Sequence, residues 1–546
     1  MSLAAAPLGS SAFHDLSRGR LVVTTAGVLL ALLLVSLDQT IVGTALPRII
    51  SELNGLDYYA WVTTAYLVSS TVMVPIAGKL GDLFGRKPFI LAGMIGFVGA
   101  SALCGLSQDM LQLVLFRALQ GLFAGILMAN VFTVIADLFP PRTRARMQGL
   151  FAAIFGISSI FGPTVGGYLT DGLGWRWVFY VNLPVGIAAV TVIALGMPFL
   201  RTAATWRHID FEGAVLLVAG VVPLLVALSI SRDHDWTSPE MLVLLGVAAV
   251  ALVGFVFMEL REEQPIVPLA LFRNVTFTVS VIVAFIAAVG MFGSIIFVPL
   301  LYQGVLGLTA TSSGQLLTPM MFGLIGASVL TGQLITRIKR YRFVGTVGLS
   351  LMVVGMWLLA QVRPTSDNAE VVRDIALVGV GLGMTMPLYQ NAVQSAVPRA
   401  VVGVATSQVQ FWRSMGGTIG AAVLGSVLAH RLPGQISAQL AGLQLPPQIA
   451  GQLSGGSGSA QSLFDPDKLA ATRAGLPPTL QPVFDRLLDA IRVALANTLH
   501  DLFLYAAAIV AVAIVASVFL KDVPLRGRER RAEGAEVGAP AASFGD

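Results

Sequence analysis

The feature that most constrains this chain is a set of long apolar runs with almost no charge in them. Val22 to Leu37, Val215 to Leu228, Met241 to Met258 and Ala506 to Leu520 are each nearly free of ionisable side chains. A helix needs roughly 20 such residues to cross the hydrocarbon of a bilayer. In that layer every backbone N–H and C=O needs a partner, so only helices and closed barrels span it. The runs are too long and too uniform for the alternating strands, about ten residues each, of a membrane barrel. Helix remains. Composition agrees, because 55% of the 546 residues are hydrophobic and only 12% are charged, where soluble domains run near 25% charged. The first run continues into Asp38 without a small-residue cleavage site, so it is expected to be a span and not a cleaved leader. The single cysteine, Cys104, leaves no intramolecular disulfide and no cysteine-based metal site.

Hydropathy places fourteen spans at roughly 21–49, 58–77, 88–106, 110–136, 146–169, 176–198, 212–230, 239–259, 275–302, 312–335, 343–361, 374–396, 403–429 and 499–520. With the N-terminus inside, the cytoplasmic segments hold twenty-two of the 34 lysines and arginines, and the short outer segments hold five. That asymmetry is the positive-inside signal. It puts both termini in the cytoplasm and points away from nucleic acid as the partner of the net charge of +5.

The expected architecture is an all-α integral membrane protein of two pseudo-symmetric six-helix bundles with two extra central helices. A tail (1–20) precedes an N-terminal bundle (21–198), then the extra helices and linkers (199–274), a C-terminal bundle (275–520) and a second tail (521–546). A weak repeat supports two related halves. Gly78 to Lys87 follows the second span, and a similar Gly332 to Arg340 follows the tenth. Paired halves around a cavity are a transporter architecture. Residues 431–498 read as a long outer segment, Gly/Ser-rich at Gly451 to Gly458. Leu480, Phe484, Leu487, Leu488, Ile491 and Leu495 then mark an amphipathic helix leading into the last span.

Asp38 lies deep in the first span. A carboxylate there costs about 2.5 kcal/mol or more and persists when paired, wet or protonated. It is the candidate proton carrier, and a permanent ion pair is the competing reading. Arg117, in the fourth span, cannot deprotonate but can tune a nearby carboxylate. Arg413, in the thirteenth, either recognises an anionic group or pairs within its own half. In the turn after the second span, Gly78 and Gly85 give tight geometry. Asp82 can meet the positive end of a helix dipole, and Arg86 and Lys87 can pair with acids such as Asp137. Together these residues form a candidate conformational latch. Gly156, Gly162, Pro163, Gly166 and Gly167 crowd the fifth span. Small residues let membrane helices approach closely, so a tight interface between halves is expected there. By depth alone, Trp61, Tyr66, Gln120, Phe297, Tyr389, Gln390, Asn391, Gln394 and Arg413 are candidates to line a substrate cavity.

These segments resemble known ones. Residues 78–87 resemble the signature loop of the major facilitator superfamily, and Arg117 to Gly121 resemble its fourth-helix coupling motif. Gly156 to Gly167 match the fifth-helix antiporter pattern Gly-x5-Gly-Pro-x-x-Gly-Gly. Leu37 to Pro47 and Trp175 to Pro184 look like the EmrB/QacA-type branch of fourteen-helix drug:proton antiporters. The resemblance covers nearly the whole chain outside 431–498. It implies export of small amphipathic or lipophilic substrates across a bacterial cytoplasmic membrane, driven by protons, with Asp38 and Arg117 in the coupling and no cofactor. Thr336 stands where a second loop copy would carry its acid, which implies a one-sided latch. An exporter of an endogenous lipid, siderophore or metabolite is the alternative in the same fold. A non-transporting sensor is a remoter one and would not need a titratable acid in the first span. An enzyme is disfavoured: there is no paired nucleophile and base, and His14, His208, His234, His430 and His500 lie outside or at the edges of spans.

Overall fold

The computed structural model describes residues 17–53, 58–199, 209–231, 234–306, 310–338, 341–441, 473–474, 478 and 481–520. Its long helices are α1 (Arg18–Leu53), α2 (Tyr59–Phe84), α3 (Arg86–Leu106), α4 (Met110–Leu138), α5 (Pro141–Gly172), α6 (Trp177–Gly196, broken for one residue at Val181), α7 (Phe211–Ile230) and α8 (Pro239–Glu259). They continue as α9 (Val275–Leu300), α10 (Ala310–Ile338), α11 (Tyr341–Ala360), α12 (Asn368–Ala396), α13 (Val402–Ala441) and α14 (Gln481–Val518). Thirteen of them are long and apolar enough to cross a membrane. The exception, α13, carries Gln408, Gln410 and Arg413 among its apolar residues. It packs on α9 and α14 of its own half and on α2 and α4 of the other.

Local chemistry sets several helix starts. Asp109 accepts from Gln112 N at 2.8 Å to cap α4, and Asp210 accepts from Gly213 N at 2.7 Å to cap α7. Asn274 does the same for α9 through Thr276 N at 3.0 Å. Each satisfies a backbone donor that the first helical turn leaves without a partner. Between α2 and α3 the chain reverses in one residue, Gly85, at φ +88°. L side chains resist that left-handed geometry and glycine does not.

The helix pairings repeat. In the first six helices α1 packs on α5 and α6, α4 on α2 and α3, and α3 on α6. Adding eight to each label gives α9 on α13 and α14, α12 on α10 and α11, and α11 on α14, all of them observed. The offset of eight leaves α7 and α8 as an inserted pair. They pack on each other, and α7 rests against α2 and α13. The halves meet through α2 and α4 on α13 and through α5 on α10 and α12.

Two expectations change at the other end. The amphipathic segment and the last span are one continuous helix, α14, whose Leu487, Ile491 and Leu495 are buried. α13 also runs on to Ala441, so 431–441 is helical where an outer loop was expected, while 481–498 is helical in line with the amphipathic spacing. At about 1.5 Å per residue both helices exceed the roughly 30 Å hydrocarbon thickness. An ion pair between Arg431 and Asp501 joins them. Leu480, Gly451 to Gly458, the tail 521–546 and most of the tail 1–20 lie outside the described residues.

Candidate functional site

The first cluster is built on α1, α2, α3, α4 and α6. Asp38 is fully buried. Arg117 Nη1 donates to its Oδ2 at 2.6 Å, and Gln120 Nε2 and Asn182 Nδ2 each donate to its Oδ1 at 2.9 Å. Arg117 also donates to Gln120 Oε1 at 2.7 Å and to the Val62 carbonyl at 3.4 Å. Its guanidinium lies 4.2 Å from the Tyr66 ring centroid, in cation–π range. Asn182 reaches Ser101 Oγ at 3.0 Å. Helical geometry assembles this set. Arg117 and Gln120 are three residues apart on one face of α4, and Asn182 follows the break in α6.

A charge in apolar surroundings is stable when it is paired and its remaining hydrogen-bonding capacity is met. Asp38 satisfies both conditions through three donors. Protonating it would remove one acceptor and the charge that holds Arg117. Tyr66 and Gln120, read from depth as cavity groups, therefore belong to this cluster. Asn182 and Ser101 were absent from the sequence-derived site. The signal for Asn182 was its place in the Trp175 to Pro184 motif, where an amide interrupts apolar residues.

The second cluster joins the halves at the end of the bundle that carries Asp82. Its Oδ1 accepts from Gly403 N at 3.1 Å and its Oδ2 from Val404 N at 2.7 Å, capping α13 from across the interface. Arg86 pairs with Asp82 and, at 3.3 Å, with Asp137. Gly78 faces Ser407 so closely that a Cβ would collide with it. Lys87 differs from expectation. Its ammonium donates to the carbonyls of Ala194 at 2.7 Å and Met197 at 2.6 Å, at the C-terminal end of α6. Those carbonyls lack helical partners and carry the negative end of the dipole, so they suit a lysine.

Nearby, Gln148 of α5 donates to Gln394 Oε1 of α12 at 3.0 Å, and Gln394 Nε2 donates to the Phe132 carbonyl of α4 and to Thr406 Oγ1 of α13, both at 3.2 Å. This clasp ties two helices of each half. Gln148 was not foreseen; a lone amide eight residues into α5 was the available signal.

The fifth-helix glycines divide between two neighbours. Gly162 and Gly166 press against Thr40, Thr44 and Ile41 of α1, within the same half. Gly156 presses on Ile325 of α10 in the opposite half, as does Gly149 on Ser328 and Val329. Gly167 faces open space, and Pro163 lies within the helix. The tight contact between halves thus runs through Gly149 and Gly156.

Of the remaining cavity candidates, Trp61 is half-buried beside Val62, and Phe297 sits in the apolar core of the second half. Among the described residues Gln390 is buried with no partner for either amide atom, and Asn391 is buried. Tyr389 and Arg413 line a cavity of about 20 Å³ between α9, α12 and α13.

Residues 28–421 match the Major Facilitator Superfamily. The chain belongs to the major facilitator superfamily. Within this superfamily, the Multidrug transporter protein MdtP of Bacillus subtilis is 38% identical over 524 residues, covering 94% of this chain and 95% of its own. Multidrug resistance protein 3 of the same organism is 34% identical, covering 90% and 94%. The Tetracenomycin C resistance and export protein of Streptomyces glaucescens is 32% identical, covering 76% and 77%. Two solved structures share the fold. The human organic anion transporter MFSD10 aligns with a TM-score of 0.57 at 14% identity, over 90% of this chain and 99% of its own. The proton:xylose symporter XylE aligns at 0.51 and 12%, over 75% and 95%. The superfamily consists of membrane transporters, and this chain is a transporter and not an enzyme.

Proposed function

We propose that the chain is a proton-coupled exporter of small amphipathic or lipophilic compounds, a drug:proton antiporter that alternates access across the bacterial cytoplasmic membrane with both termini inside. The observation that carries this reading is the fully buried Asp38–Arg117 pair. Arg117 is always charged, so Asp38 is the member of the pair whose charge can change. When Asp38 is ionised, it holds Arg117, Gln120 and Asn182 together. When it takes a proton, Arg117 keeps its contacts with Gln120 Oε1, the Val62 carbonyl and the Tyr66 ring but loses its counter-charge, and α1 is freed to shift against α4. A proton moving inward at 100 mV supplies about 2.3 kcal/mol per charge.

The Asp82 cap, the Arg86 pairs and the Gln148–Gln394 clasp support a state closed on the cytoplasmic side. Export requires that closure to break and re-form once per cycle. The Bacillus and Streptomyces relatives, by their names, act in multidrug transport and antibiotic export, which favours a xenobiotic substrate. The test is transport of a compound panel into proteoliposomes under an imposed pH gradient. Uptake that follows the gradient supports antiport, and uptake indifferent to it removes the proton from the reading.

A further inference from the structure

Arg413 is the second arginine within the bundle, and its situation is the reverse of Arg117's. Among the described residues it makes no hydrogen bond and no ion pair, and its Nη2 is buried without a partner. The one group over it is the Phe132 ring of α4, at 6.0 Å from centroid to guanidinium carbon, the outer limit of a cation–π contact. The cavity it lines is mostly apolar, and of the other polar side chains there Thr385 spends its hydroxyl on the Leu382 carbonyl at 2.9 Å. Val283, Ala287, Met291, Met386, Tyr389 and Val409 wall the cavity. The Tyr389 hydroxyl is turned away, bonding Ser517 Oγ of α14 at 2.8 Å, so the tyrosine offers only its ring. A guanidinium stays charged in such a place, and a charge inside a membrane protein needs a partner or marks a substrate path.

We propose that Arg413 and this apolar pocket form the recognition site for organic anions: substrates with an aromatic or alicyclic body and a carboxylate or comparable acidic group. The five donors of the guanidinium match a carboxylate in a forked geometry, and the aliphatic and aromatic wall takes the body. The pocket of about 20 Å³ has room for roughly one water as it stands. Its cover explains how it opens. Phe132 belongs to the first half and Arg413 to the second, and the Phe132 carbonyl is held by Gln394 in the clasp between halves. Separation of the halves breaks that hydrogen bond and draws Phe132 off Arg413, so the cation is uncovered in the state that admits substrate. This inference names a substrate class for the transporter proposed above and rests on that reading.

The test uses the full purified chain and a matched set of probes: naphthylacetate, the neutral naphthylacetamide and the cation naphthylmethylammonium. The expected result is equilibrium binding of the acid at least about tenfold tighter than of the amide, as for a hydrogen-bonded charge. Arg413→Gln should abolish that preference and Arg413→Lys should keep part of it. Equal affinity of the wild-type chain for acid and amide overturns the proposal without reliance on any variant, as does absence of acid binding. A preference surviving in Arg413→Gln also overturns it. Uptake of the compound panel under an imposed pH gradient, measured on the same wild-type preparation, separates the two claims. Failure of driven uptake counts against proton-coupled export, and the acid–amide comparison still decides the role of Arg413.

Discussion

The carboxylate of Asp82, at the end of α2, accepts a hydrogen bond from the backbone nitrogen of Val404 at 2.7 Å and so caps a helix of the opposite half. Anions at a helix N-terminus contribute about 0.3–1 kcal/mol when exposed and up to about 2 when partly buried, and the Arg86 pair adds to that. Asp82→Asn keeps the shape and removes the charge. The expected outcome is normal insertion with the closed state weakened by about 1–2 kcal/mol, a factor of about 5–30 in its population. Cysteine accessibility at the interface between α2 and α13 reads this directly. Unchanged accessibility and unchanged turnover would reduce the turn to a membrane anchor.

The Gln148–Gln394 bond is a separate closure and can be measured by a double-mutant cycle. Removing one amide leaves a buried partner unsatisfied, at about 1–3 kcal/mol. The account expects Gln148→Ala and Gln394→Ala each to favour the open state, with the double variant less disturbed than the sum of the two. Strict additivity would show that the two amides do not cooperate in closure.

Gly166 and Gly167 are neighbours with opposite surroundings. A side chain at Gly166 meets Thr44 and the Ile41 carbonyl of α1, and one at Gly167 meets open space. Overpacking of this kind costs about 1–3 kcal/mol. Gly166→Leu is therefore expected to give a folded protein with impaired turnover or a proton leak, and Gly167→Leu one close to wild type. Equal behaviour of the two variants in transport and proton-leak assays would contradict the packing argument.

Which parts of the site could be read in the sequence follows from how each residue is held. Asp38 and Arg117 stand out because a charge in an apolar run demands an explanation, and the turn at Gly85 because no other residue accepts its geometry. Partner choice is tertiary and did not show. Lys87 takes carbonyls at the end of α6 where Asp137 was expected, and Gln120 serves Asp38. Fifth-helix glycines announce close contact but not with whom: Gly162 and Gly166 touch α1, while Gly156 touches α10. The helical extension of α13 was hidden because polar, interrupted sequence beyond a span reads as loop, whereas the apolar spacing from Phe484 to Leu495 showed the one that leads into the last span. Arg431 and Asp501, far apart in sequence, join them.

The proposed orientation rests on the distribution of basic residues and is open to labelling. Thr365 lies between α11 and α12, on the side assigned to the outside, and is exposed. In a Cys104→Ser background, Thr365→Cys is expected to react with an impermeant thiol reagent in intact cells. Labelling that requires lysis would invert the proposed topology.

The central claim is that the charge of Asp38 couples proton entry to substrate exit. Asp38→Asn fixes a neutral group among the same neighbours, Arg117, Gln120 and Asn182, and has no proton to release. The variant is expected to insert, to bind substrate and to retain passive exchange, because alternation itself does not need the carboxylate. The most direct measurement is pH-gradient-driven substrate uptake into inverted vesicles, set beside a binding assay on the same preparation. The account predicts binding without accumulation for Asp38→Asn. Full driven accumulation by that variant would remove Asp38 from the coupling mechanism.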